Sequence, residues 1–146
     1  MSFPGPSTNS FALITGASQG IGEAIARDLA KGGHNLIVVA RREEVLTTLA
    51  DELAAAHGVN VEVFAADLSK ERDVTALLDH IQKRRIDICV NSAGIASFGP
   101  FMQQDWDYET NQFNLNATAV FRITKAVLDQ MVPRCEGALC NVGSAA

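Results

Sequence analysis

Basic residues are in short supply here. Twelve Lys and Arg stand against seventeen Asp and Glu among 146 residues, a formal net charge of −5. That balance leaves no electropositive footprint for nucleic acid or an anionic membrane surface, so neither is expected as a partner. Apolar runs are short as well, none reaching the roughly 18 residues that a membrane span needs. Met1–Ser10 has neither the charged start nor the apolar stretch of a secretory leader, so a cytoplasmic location is expected. The cysteines, Cys89, Cys135 and Cys140, are odd in number and form no C-x-x-C pair. Two of them sit in apolar runs and read as buried, reduced thiols. His34, His57 and His80 are scattered without a partner at i+4, and no metal site is expected from that spacing.

What is present is an ordinary globular composition. Hydrophobic residues make up 47% and charged residues 20%, which argues against disorder. The length suits one domain with a sizeable core and is too short for two. Residues 1–10, rich in Pro, Gly and Ser, read as a flexible lead-in, and residues 11–146 as the domain.

Strand-like and helix-like patterns alternate along that domain. Phe11–Thr15, Asn35–Ala40, Val59–Ala65, Asp87–Val90 and Ala138–Val142 read as strands whose near-continuous apolar character suits burial on both faces. Gly20–Lys31, Glu43–His57, Lys70–Lys83 and about Asp105–Met131 read as helices. Gly32-Gly33 ends the first helix, Gly58 the second, and Pro133 follows the fourth. Such alternation predicts parallel strands with right-handed crossovers, hence an open, doubly wound α/β sheet. The fourth helix spreads Phe113, Val120, Phe121, Ile123, Val127, Leu128 and Met131 over more than one face. Packing on a sheet needs a narrower stripe, so the excess predicts a subunit contact, a homodimer or homotetramer.

Directly after the first strand comes Thr15-Gly16-Ala17-Ser18-Gln19-Gly20-Ile21-Gly22. Gly16 permits a sharp turn, Gly20 leaves room for a phosphate, and Gly22 permits close helix–strand contact. The opening of the helix then offers free N–H groups and a positive dipole end to a pyrophosphate. Strand, glycine turn and helix in that order are what dinucleotide binding requires. After the second strand, where an acidic side chain would hold the ribose of NAD(H), stand Ala40-Arg41-Arg42. A guanidinium pairs with a 2′-phosphate that a carboxylate would repel, so the expected cofactor is NADP(H), with Arg41 as main contact and Arg42 beside it. Glu43 and Glu44 offer the pair a purely local alternative. Asp67-Leu68 follows the third strand; Asp67 fits either an adenine amino group or the cap of the next helix. The small residues Asn91-Ser92-Ala93-Gly94, after the fourth strand, leave space beside the adenosine.

These motifs, with the Gly137–Ser144 stretch, resemble the short-chain dehydrogenase/reductase family in order and spacing from Phe11 onward. The resemblance implies a Rossmann-type sheet and hydride transfer between nicotinamide and a carbonyl or alcohol carbon. It places the family's active-site serine on Ser144, which would polarise the substrate oxygen. Its asparagine, which holds a water in a proton relay, falls best on Asn116, with Asn114 as runner-up and a simple helix kink as the alternative. Two departures stand out. Ser92 replaces the second Asn of Asn-Asn-Ala-Gly. The family's Tyr and Lys, four residues apart, have no counterpart, because the one tyrosine, Tyr108, is followed at that interval by Gln112. Without that phenol no residue serves as general acid. The chain is therefore expected to be a fragment, inactive alone, lacking the C-terminal strands and helices and leaving its fifth strand an open edge.

The leading expectation is thus an NADP(H)-dependent oxidoreductase acting on a ketone or secondary alcohol, 3-oxoacyl thioesters included. Phe98, Phe101 and Met102, in Ile95–Trp106, favour an apolar substrate. The alternative is a nucleotide-binding module without turnover. A methyltransferase on a similar sheet is disfavoured by Arg41, since it would want an acidic residue there.

Overall fold

Five parallel strands and the helices between them make up the chain in the computed structural model, which describes residues 3–143. The elements are β1 (Ser10–Thr15), α1 (Gly20–Lys31), β2 (Asn35–Ala40), α2 (Glu43–His57), β3 (Val61–Ala65), α3 (Glu71–Ile81), β4 (Arg85–Asn91), α4 (Trp106–Phe113), α5 (Val120–Arg134) and β5 (Ala138–Asn141). A short 3₁₀ turn (Phe101–Gln103) precedes α4, and a π-helical segment (Asn114–Ala119) joins α4 to α5.

The sheet order is β3-β2-β1-β4-β5, with every neighbouring pair parallel. Side chains alternate across it. Ala12, Ile14, Leu36, Val38, Ile88 and Val90 face one core with α1 and α2, while Leu13, Ile37, Val39, Ile86 and Cys89 face the other with α3 and α5. Burial on both faces is why the strands read as unbroken apolar runs. The helices answer with narrow stripes: Leu46, Leu49, Ala50 and Leu53 on α2, Val74, Leu77 and Ile81 on α3, and Ile123, Val127 and Met131 on α5. On α1 the buried residues are Gly22, Ala26 and Ala30, all small, so this helix lies close to the sheet.

Several element boundaries differ from expectation by one to three residues, among them the following three. Strand β4 begins at Arg85 rather than Asp87. Phe11 pairs with Ile86 and Ala12 with Ile88, which leaves Asp87 as the extra residue of a bulge. Strand β3 begins at Val61, and the buried Val59 packs from the loop before it. The fourth helical stretch runs past Pro133 to Arg134. Cys135 then turns in the left-handed conformation (φ 51°), its N–H and that of Glu136 meeting the Val132 and Met131 carbonyls.

Residues 3–9 carry no regular element, but Asn35 Nδ2 donates to the carbonyls of Ser7, Thr8 and Ser10 and lays them beside β2. Phe113, Phe121, Leu128 and Val132 are exposed along the outer face of the long helical stretch. On β5, Leu139, Cys140 and Asn141 are exposed. No helix among the described residues is long and apolar enough to cross a membrane.

Candidate dinucleotide site

The strand order reverses between β1 and β4, and a crevice opens at the carboxyl ends of the strands there. A cleft of about 510 Å3 occupies it. Its lining comes from the glycine turn (Gly16, Ser18, Gln19, Gly20, Ile21), the end of β2 (Val39–Arg42), the residues after β3 (Ala66, Asp67, Leu68) and those after β4 (Ser92–Ile95), with Leu115 and Val142. Residues from all four motifs singled out in the sequence thus meet at one opening.

Three glycines of the turn have separate jobs. Gly16 (φ 71°) donates its N–H to the Val39 carbonyl at 2.8 Å, and a Cβ on it would stand 2.8 Å from Ala93 N. Only a residue without a side chain lets the turn touch the β4 loop so closely. A Cβ on Gly22 would lie 2.4 Å from the Gly16 carbonyl oxygen, so α1 closes against the turn itself rather than a strand. Gly20 (φ 59°) has nothing within 4 Å of that position: it is open floor. Gln19, the N-cap of α1, gives no side-chain cap, so the first-turn N–H groups are left to a ligand. An open floor, uncapped amides and a lip of two arginines fit a dinucleotide phosphate. The cofactor itself would supply the hydride.

Thr15, Gly22, Asn91 and Asn116 are not on the cleft surface; they hold its walls. Thr15 Oγ1, buried, accepts the N–H groups of Ser92 and Ala93, both at 3.1 Å, stitching β1 to the β4 loop. Asn91, also buried, donates through Nδ2 to Asn141 Oδ1 at 2.9 Å and Thr124 Oγ1 at 3.2 Å. It ties β4 to β5 and α5. Beneath it, burial, and secondarily the Cys140 thiol, push the Cys89 thiol up to about 12. Asn116 sits in the π-helical segment and bonds the Ile95 backbone through both side-chain polar atoms. These bonds tie the π-helical segment to the cleft wall. Asn114 lies at the head of the same segment and lines a separate, smaller hollow. Ser144 lies outside the described residues.

The two arginines part company. Arg41 is exposed at the lip, with no hydrogen bond to hold it among the described residues. Arg42 turns back to the glycine turn, with Nη2 2.6 Å from Gln19 Oε1 and 3.3 Å from both Ser18 O and Ser18 Oγ. Neither forms an ion pair or side-chain hydrogen bond with Glu43 or Glu44 among the described residues, though Arg42 does open α2. Asp67 does not cap α3 either: Lys70 is the N-cap. Its Oδ1 accepts from Ser69 N–H (3.1 Å) and Ser69 Oγ (2.8 Å), while its own N–H donates to Asp73 Oδ2. The backbone bond from Asp67, then Arg72, holds the Asp73 carboxyl below its ordinary range. Val39, Ala66 and Leu115 were missed by sequence reading. Val39 is in β2, Ala66 directly follows β3, and Leu115 lies in the π-helical segment.

A parallel sheet with helices on both faces and a glycine turn at its switch point defines a Rossmann-type α/β protein. Residues 10–146 match the family model described as short chain dehydrogenase, and the chain belongs to that family. Oxidoreductase UcpA of Escherichia coli is 38% identical over 142 residues, 96% of this chain and 53% of that protein. A short-chain dehydrogenase from Sphingobium yanoikuyae in complex with NADPH superposes with a TM-score of 0.90 at 39% identity, covering 93% of this chain and 54% of that one. The bulky-bulky ketone specific alcohol dehydrogenase from Comamonas testosteroni also gives 0.90, at 34% identity over 95% of this chain and 56% of that one. The chain spans about half the length of the curated relatives it matches.

Proposed function

We propose that the chain is the cofactor-binding part of an NADP(H)-dependent oxidoreductase that moves a hydride between nicotinamide and a ketone or secondary alcohol. The observation that carries this is Arg41, exposed and unengaged at the lip of a glycine-turn cleft, where a carboxylate would select NAD(H). An NADPH-bound relative of matching fold supports the same cofactor, and a ketone-specific relative supports the substrate class. In this reading the glycine turn and α1 take the pyrophosphate and Arg41 the 2′-phosphate. Asp67 and Leu68 take the adenine side. Ser144 donates to the substrate oxygen.

Tyr108 does not serve as the acid, because its hydroxyl donates to the Ala96 carbonyl at 3.1 Å and Gln112, not Lys, follows four residues on. That observation favours a second reading, a nucleotide-binding module without turnover. The homodimer or homotetramer belongs to the proposal too, supported by the exposed stripe of Phe113, Phe121, Leu128 and Val132. A cytoplasmic setting is supported by three unpaired cysteines.

The test is NADPH oxidation by the intact gene product over a panel of ketones, 3-oxoacyl thioesters included. Turnover with NADPH, and its loss by on the order of 10²-fold in Ser144→Ala, is the expected result. Binding of NADPH without turnover of any ketone would favour the module.

A further inference from the structure

Both helix N-caps that face the cleft forgo capping. Gln19 opens α1 and Arg42 opens α2, and neither side chain bonds its own helix. Arg is a poor choice at that place: it cannot accept from the free N–H groups, and its charge faces the positive end of the helix dipole. The two side chains instead meet each other, Arg42 Nη2 to Gln19 Oε1 at 2.6 Å, with Ser18 O and Oγ as further acceptors. One guanidinium therefore fastens the start of α2 to the turn at which α1 begins.

We infer that Arg42 is a positioning residue, a clamp that fixes the glycine turn for the pyrophosphate, and that Arg41 alone distinguishes a phosphorylated from an unphosphorylated ribose. This rests on the cofactor reading above. Three acceptors from the turn already engage Arg42 Nη2, whereas Arg41 makes no side-chain hydrogen bond among the described residues. A residue acting through the turn affects every dinucleotide alike, since NAD(H) and NADP(H) share the pyrophosphate. A residue acting at the 2′-position affects one of them.

The experiment is calorimetric titration of the chain and its Arg41→Ala, Arg42→Ala, Arg42→Lys and Gln19→Ala variants with NADPH and with NADH. Arg42→Ala should weaken both nucleotides by about tenfold, the scale of one charge-assisted hydrogen bond, with their ratio kept. Gln19→Ala should do the same, and adding it to Arg42→Ala should cost little more, because the two side chains act as a pair. Arg42→Lys should recover part of the loss for both nucleotides. Arg41→Ala should collapse the ratio by weakening NADPH alone. Loss of NADPH binding alone in Arg42→Ala, or no loss in either nucleotide, overturns the clamp. Failure of the unaltered chain to bind either nucleotide sinks the cofactor reading instead. Amide exchange at residues 18–22 then still reads the clamp: faster exchange in Arg42→Ala supports it and unchanged exchange overturns it.

Discussion

Asn116 holds both backbone polar groups of Ile95: its Oδ1 accepts the N–H at 3.1 Å and its Nδ2 donates to the carbonyl at 2.7 Å. The pair crosses from the π-helical segment to the wall of the cleft, so this stretch of the long helical run fixes the loop after β4. Asn116→Ala should lower stability by about 1 kcal/mol, since water replaces the lost partners at this exposed site. Asn116→Asp should cost more, because a carboxylate oxygen would then face the Ile95 carbonyl. Urea denaturation of the three proteins reads this, and equal midpoints would contradict it.

The glycines of the turn predict opposite outcomes for one substitution. Gly16→Ala puts a Cβ 2.8–2.9 Å from the backbone of Ser92 and Ala93, at φ 71°. Left-handed strain plus a backbone clash should cost upwards of about 2 kcal/mol, much of a small domain's reserve. Gly20→Ala meets no neighbour within 4 Å, so its cost should stay at or below about 1 kcal/mol. Its methyl group nevertheless stands on the floor that a phosphate would approach. Melting temperature and NADPH affinity, measured together, should both fall steeply for Gly16→Ala, whereas Gly20→Ala should lower the affinity steeply and the melting temperature only slightly.

At the opposite end of the sheet, Asp87 is a buried carboxylate between two guanidiniums. Its Oδ1 lies 2.9 Å from Arg85 Nε and 3.1 Å from Arg134 Nη2. Burial by itself would raise its pKa, but the Arg85 hydrogen bond, Ser10 and the charges of Arg85 and Arg134 outweigh it and hold the carboxyl below its ordinary range. A depressed native pKa means that the unfolded chain takes up the proton first as pH falls. The stabilisation is therefore complete above about pH 4 and is lost below it. Asp87→Asn should cost about 2 kcal/mol at neutral pH. That deficit should narrow as the pH falls from about 4, which stability curves of the two proteins against pH would reveal. A deficit independent of pH would contradict the ion-pair account.

Thiol chemistry should sort the cysteines. Cys89 is buried and pushed up to about 12, whereas Cys135 and Cys140 are exposed. An aromatic disulfide reagent at mildly alkaline pH should find two thiols in the native chain and all three in denaturant. Rapid reaction of Cys89 in the native state would mean that the sheet opens beneath the cleft.

The glycine turn and the strand runs were legible because each is a local signal: a spacing of small residues, or an apolar run between turn residues. What stayed hidden is set by contacts from far along the chain. The bulge at Asp87 answers to Arg134, and the π-helical segment answers to Ile95. Leu115, which lines the cleft, lies in that segment, where a period of 3.6 does not apply. The adjacent arginines look equivalent as letters. Ser18 and Gln19, more than twenty residues upstream, separate their roles.

The most direct test of the central claim is calorimetric titration of the chain with NADPH and NADH in low salt. The account predicts saturable binding of NADPH, tighter than NADH by about tenfold or more, the scale of a guanidinium–phosphate contact. Equal affinities, or a preference for NADH, would contradict it.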